Sequence, residues 1–122
     1  MKKSIISIIT ICAFLAPNLI KSQTIVNLHS NGNVNNYHGV NAFTLAYNDA
    51  TNGDTIYLSG GSFTPPTNIN KKLTIFGSGF FADSLMQTGK TLLNSTISFQ
   101  DSASGSYIEG IEFSGNITFT NN

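Results

Sequence analysis

Glu109 and Glu112 are the closest pair of acidic side chains in the chain, and two carboxylates on one face can share a calcium ion through their oxygens. They are the candidate metal ligands, with solvated surface carboxylates as the alternative. If Tyr107 to Phe113 is one strand with its apolar residues inward, a break at Gly110 decides whether the two acids share a face. Asp54, in the run Asn52-Gly53-Asp54-Thr55, reads as a turn residue rather than a catalyst, because an Asp carboxylate readily accepts backbone N–H groups of its own turn. His29 and His38 stand nine residues apart with no cysteine or carboxylate near them. That is a weak zinc pattern and suits a solvated loop better.

Three further patterns carry less. Gly77-Ser78-Gly79 matches half of a nucleotide-binding fingerprint, but no helix follows to present its N-terminus to a phosphate. Asp83-Ser84-Leu85 and Asp101-Ser102-Ala103 fit the Asp-Ser/Thr-aliphatic acceptor of some exported glycoproteins. Ser84 and Ser102 are therefore candidate glycosylation sites; Asp54-Thr55-Ile56 also fits, with its threonine at the start of a strand. Phe63, Phe80 and Phe81 lie beside glycine turns, where rings can stack on sugars. With nine Phe and no Trp in the chain, packing is their expected role. No catalytic set and no cofactor fingerprint completes itself.

Composition narrows the classes further. Charged residues are 10% of the chain and hydrophobic ones 40%, so the surface is kept wet by Asn, Ser and Thr, and the chain is neither disordered nor a phosphate-neutralising nucleic-acid binder. Lys2 and Lys3 precede an apolar run from Ile5 to Leu15 that is too short to span a bilayer. Residues 1–22 thus read as a secretory signal peptide cut after Ser22. The single cysteine, Cys12, follows Ile11, whereas lipid attachment wants a small residue there. The mature chain has no cysteine, no transmembrane segment and three lysines against six acids, so packing and hydrogen bonds alone hold an exported domain together. Its destination is the medium or the outer cell surface.

Short β-branched segments recur at about twenty residues. Thr55-Ile56-Tyr57-Leu58, Thr74-Ile75-Phe76-Gly77, Thr96-Ile97-Ser98-Phe99 and Asn116-Ile117-Thr118-Phe119 align on their isoleucines at spacings of 19, 22 and 20. Apolar residues two apart (Ile56 and Leu58, Leu73 and Ile75, Ile97 and Phe99, Ile117 and Phe119), separated by Gly, Asn and Ser clusters, are the mark of strands with one buried face. Strands at that period without helices between them predict an all-β solenoid; an antiparallel β-sandwich is the alternative. One helix is expected over 40–51, where Phe43, Ala46, Tyr47 and Ala50 share a face, with Asn41 as N-cap and Asn52-Gly53 as a left-handed stop. It would cover the first coil. The domain division is then 1–22 signal peptide, 23–38 Asn-rich leading segment, and 39–122 capping helix with the first coils.

From the helix Phe43 to Ala50 through Gly53-Asp54-Thr55-Ile56, Lys72-Leu73-Thr74-Ile75-Phe76-Gly77-Ser78-Gly79, Thr91-Leu92-Leu93 and Tyr107 to Gly115, the chain resembles the N-terminal part of right-handed parallel β-helix proteins, the pectin-lyase-like fold. In that resemblance Gly53 lets the chain reverse after the helix, Asp54 satisfies turn amides, and Gly77 and Gly79 turn a corner after a strand. Enzymes of this kind cleave polysaccharides, lyases with calcium and an Arg or Lys base, hydrolases with clustered Asp residues. This chain has no Arg and no Asp-Asp pair. The resemblance therefore implies a carbohydrate-active or carbohydrate-binding exported protein whose functional site, and any calcium, belongs to coils beyond Asn122. A non-catalytic adhesin or stalk built of such coils is the alternative, and a chain that is whole and pairs its open edge with a second copy is a third.

Overall fold

Residues 24–79 and 89–121 are described by the computed structural model; the signal-peptide reading of residues 1–22 and the readings of Phe80, Phe81 and Ser84 lie outside them. Alternation of apolar and polar residues builds eleven short strands. They are β1 Ile25–Ser30, β2 Asn33–His38, β3 Thr55–Leu58, β4 Gly61–Phe63, β5 Asn68–Ile69, β6 Thr74–Phe76, β7 Thr91–Leu93, β8 Ile97–Gln100, β9 Tyr107–Glu109, β10 Ile111–Phe113 and β11 Ile117–Thr120, with one α-helix, α1, at Ala42–Asp49. The class is all-β, in three sheets ordered β2-β1-β3-β6-β9, β10-β7-β4 and β11-β8-β5. From β3 onward the chain visits the sheets in rotation, one strand to each, three times over. Six of the eight pairings are parallel; the two antiparallel ones join β1 to β2 and to β3. The antiparallel sandwich is therefore not the arrangement of the described residues.

Registers show which residues stack. Ile56 lies beside Ile75 and Ile75 beside Ile108; Phe63 beside Leu93 and Leu93 beside Phe113; Ile97 beside Ile117, with Ile69, Phe99 and Phe119 in a row. The four isoleucines that align in sequence thus divide between two sheets, Ile56 and Ile75 in one, Ile97 and Ile117 in another. The chain passes through three sheets in turn with similar strands in each, so similar segments about twenty apart need not pair. From Ile75 to its true neighbour Ile108 the chain advances 33 residues, because the connection from β6 to β7 is long.

Inward positions are closed. Val26, Leu28, Ile56, Phe63, Ile69, Leu73, Ile75, Leu93 and Ile97 are each 1% exposed or less, each burial contributing about 1.5–3 kcal/mol. Thr91 takes an inward place without penalty: its hydroxyl accepts the Ser78 N–H at 2.8 Å and donates to the Ser59 carbonyl at 2.9 Å. That pair ties the residues that follow β3 and β6 to β7.

The 23–38 segment, expected as a solvated Asn-rich leader, is a hairpin that extends the first sheet by two strands from residue 25. Its turn is Asn31-Gly32, both at positive φ (50° and 80°), the two-residue turn that suits strand twist. Val26 and Leu28 alternate with Asn27 and His29, so one face of β1 enters the core. Helix α1 lies against the hairpin and β3, placing Ala42, Phe43, Ala46 and Tyr47 in the cluster that holds Ile56, Leu58 and Phe63. This end of the interior is covered.

Both expected helix caps differ in mechanism. Asn41 occupies the N-cap position, but its backbone (φ −92°, ψ 3°) is not extended and its side chain makes no capping bond. At the other end Ala50 is extended, so the helix stops without a left-handed residue; Gly53, at φ 95°, serves the turn that follows. The orphan carbonyls are met instead from a distance. Lys71 Nζ donates to the carbonyls of Tyr47 (2.8 Å), Asn48 (3.1 Å) and Ala50 (2.7 Å) and sits 4.7 Å from the Tyr47 ring centroid.

A candidate binding face

The five-stranded sheet has an outer face made by the residues that alternate with its buried ones. In β3 and β6, Ile56 and Ile75 point in, so Tyr57 and Phe76 point out. Parallel register sets Tyr57 beside Phe76 and Phe76 beside Glu109. Their rings stack at 5.3 Å between centroids and 20° between planes; His29 of β1 meets Tyr57 edge-on at 4.9 Å, and Tyr107 of β9 lies tilted 5.9 Å from Phe76. Four rings from four neighbouring strands thus form one row across the sheet, with Tyr57 41% and Tyr107 54% exposed. Asn27, on β1 beside Tyr57, and Glu109, beside Phe76, flank the row.

The Tyr107 hydroxyl donates to Glu109 Oε2 at 2.8 Å, and this bond, reinforced by the carboxylate's charge, raises the phenol's pKa above its ordinary value. The row therefore presents apolar ring edges next to an imidazole, phenol hydroxyls, an amide and a carboxylate. Such a surface can meet C–H groups and hydroxyls together.

Of the residues singled out from sequence, Glu109 and Glu112 are not brought onto one strand. Gly110, at φ 71°, turns the corner between β9 and β10, which belong to different sheets. Glu109 accepts from Tyr107, and Glu112 pairs with Lys90 at 2.9 Å with both side chains nearly half exposed. Among the described residues no group of three or more His, Cys, Asp or Glu side chains is placed to hold a metal ion. His29 and His38 fall at opposite ends of the hairpin, paired with Val34 and Ile25, about 13 Å apart along the strand at its usual rise.

Asp54 lies in the turn between α1 and β3. It is buried, and its carboxylate accepts the Thr51 N–H at 2.7 Å and the Thr51 hydroxyl at 3.0 Å. Burial pushes its pKa up, but the Thr51 amide, the Ser30 and Thr51 hydroxyls and the Lys71 charge together outweigh burial and hold the group below the ordinary carboxylate value. Gly79 turns at φ 97° and donates its N–H to the Gly110 carbonyl at 3.1 Å. Gly77 is needed for another reason, since a Cβ there would sit 2.2 Å from the Gly110 carbonyl oxygen. Ser102 is exposed on a 3₁₀ turn at Asp101–Ala103. Phe63 is fully buried, so it packs and does not meet a ligand.

Comparison of the chain with protein-family models, curated proteins and solved structures finds no match. The geometry alone carries the functional reading.

The ring row was missed in the sequence because its members are not adjacent there. A signal existed in the matched triplets Thr55-Ile56-Tyr57 and Thr74-Ile75-Phe76. Tyr107 joins them only when Ile108, not Ile97, is taken as the next rung.

Proposed function

We propose that this chain folds as an exported right-handed parallel β-helix resembling the pectin-lyase-like fold, with its helix and hairpin covering one end, and that the outer face of its five-stranded sheet binds polysaccharide or cell-surface glycan without cleaving it. The observation that supports the binding role is the row His29, Tyr57, Phe76 and Tyr107 with Asn27 and Glu109 beside it. One ring per strand, at a spacing of about 5 Å, gives a chain of sugar rings a repeated apolar contact with hydroxyl partners at its edge. Secretion or display at the outer surface follows from the signal-peptide reading, and there a weakly acidic, Asn- and Thr-rich exterior without Arg meets glycans rather than nucleic acid.

Affinity electrophoresis of residues 23–122 through gels containing pectin, cellulose derivatives or capsular polysaccharide tests the reading. Retardation by at least one glycan is expected, with Tyr57→Ala and Tyr107→Ala each weakening it about tenfold, the effect of losing about 1.4 kcal/mol of ring contact. No retardation by any of these glycans overturns it.

A second reading, a non-catalytic adhesin or stalk, is favoured by the 20° stacking of Tyr57 on Phe76. Rings that spend their faces on each other stiffen a stack of circuits. In that case Tyr57→Ala lowers the melting temperature while wild-type protein binds no glycan.

A further inference from the structure

The described residues hold two Asn-Gly pairs, Asn31-Gly32 and Asn52-Gly53, and the fold treats them differently. Asparagine is chemically labile, most of all before glycine, whose missing Cβ lets its backbone nitrogen approach the asparagine side-chain carbonyl. At the second pair both reacting groups are held. The Gly53 N–H donates to the Lys72 carbonyl at 2.8 Å, and Asn52 Oδ1 accepts the Lys72 N–H at 2.9 Å. Lys72, just ahead of β6, thus anchors the nucleophile and the amide together.

At the first pair neither group is held. Asn31 and Gly32 are exposed at the tip of the β1–β2 hairpin. Among the described residues the Gly32 N–H has no hydrogen-bond acceptor, and nothing lies within 4 Å of the place where its Cβ would be. The Asn31 side chain makes one long contact, from Nδ2 to Ser30 Oγ at 3.4 Å. Asn31 is also the one non-glycine among the described residues at positive φ, a backbone region that is costly for residues with a Cβ.

We propose that Asn31 is a site of spontaneous deamidation, with water as the second reactant. The Gly32 nitrogen forms a bond to Asn31 Cγ and releases its proton, and the side-chain nitrogen leaves as ammonia. Water then opens the cyclic imide at one of its two carbonyls. Breaking the new bond yields aspartate; breaking the original peptide bond yields isoaspartate, with the chain running on through the former side chain. Nothing is oxidised or reduced.

Either product places a negative charge beside Ser30, whose hydroxyl donates to the buried Asp54. Isoaspartate also adds one main-chain carbon inside a two-residue turn, where loop length sets the register of Ser30 against Asn33. The modification therefore acts on the hairpin that covers this end of the interior, and it depends on neither glycan binding nor the family resemblance.

Ageing the native exported protein in mildly alkaline buffer, followed by peptide mapping in the mass spectrometer and isoaspartyl methyltransferase labelling, tests the inference. Expected is conversion of Asn31 at least about tenfold faster than Asn52 in the folded protein, and rates within about threefold of each other in urea, where the fold no longer holds Asn52. The aged protein should exchange its β2 amides faster than an Asn31→Asp variant, which carries the charge on an ordinary backbone. An Asn31 that reacts no faster than Asn52 in the folded protein overturns the site. Aged protein whose β2 amides exchange like those of Asn31→Asp overturns the effect on the hairpin.

Discussion

Single side chains in this molecule act mostly by closing backbone accounts, and Asp54 and Lys71 show how. The depressed pKa of Asp54 means that the folded state holds its charged form more tightly than the unfolded chain does. Stability from this group is therefore fully present above the unfolded value near 4 and is lost as pH falls through the lower folded value. Urea unfolding followed from pH 7 down to pH 2 should show that loss in the wild type. Asp54→Asn should start lower by roughly 1.5–3 kcal/mol, the worth of hydrogen bonds to a charged acceptor, and show a smaller acid decline. Lys71 is the counterpart at the helix end. Replacing it by Met keeps the stem but removes the ammonium donor from the carbonyls of Tyr47, Asn48 and Ala50 at the end of α1, and a loss of about 1–2 kcal/mol in urea unfolding is expected. Neither cap was legible in the sequence as such. Asp54 was readable because its partner is three residues away; Lys71 was not, because it reaches α1 from more than twenty residues on. The exposed Lys90–Glu112 pair, by contrast, is a geometry that typically contributes no more than about 1 kcal/mol.

Elements were legible where a local pattern suffices. The greasy face of α1 and the alternating strands from β3 onward follow from spacing alone, and the structure places Phe43, Ala46 and Tyr47 in the core as that spacing requires. The hairpin was equally written, in Asn31-Gly32 between Val26-Asn27-Leu28 and the Tyr37 strand, but the density of asparagines read as loop. Asparagine is depleted in strands by propensity, and here an edge position overrides it: β2 pairs on one side only, with five of its six residues exposed. Helix ends fared worse than helix existence. Asn41 and Gly53 are residues of the right type near the right places, yet the structure satisfies the helix through tertiary contacts.

At the scale of the whole molecule, the period of about twenty residues marked recurring strands without fixing which of them pair. The chain visits three sheets in rotation, which yields three interleaved sets of similar triplets, and only pairing tells them apart. That ambiguity hid the ring row, since Tyr107 lies in register with Thr74, diagonally across from Phe76, and no spacing in the sequence announces it. The same pairing exposes the asymmetry of the molecule. One end is sealed by α1 and the hairpin, while the other presents Phe119 and Ile117 to solvent.

A paired-cysteine variant tests the parallel pairing of these strands in their registers most directly. Ser98 and Thr118 are in-register neighbours on β8 and β11, about 4.8 Å apart as adjacent strands are and within the span a disulfide bridges. The chain after residue 22 contains no other cysteine. Under mild oxidation the Ser98→Cys, Thr118→Cys variant should close an intramolecular disulfide, read as loss of alkylation in intact mass, while Ser98→Cys with Tyr57→Cys, on different sheets, should keep both thiols. Free thiols in the first variant, or a bridge in the second, would contradict the account.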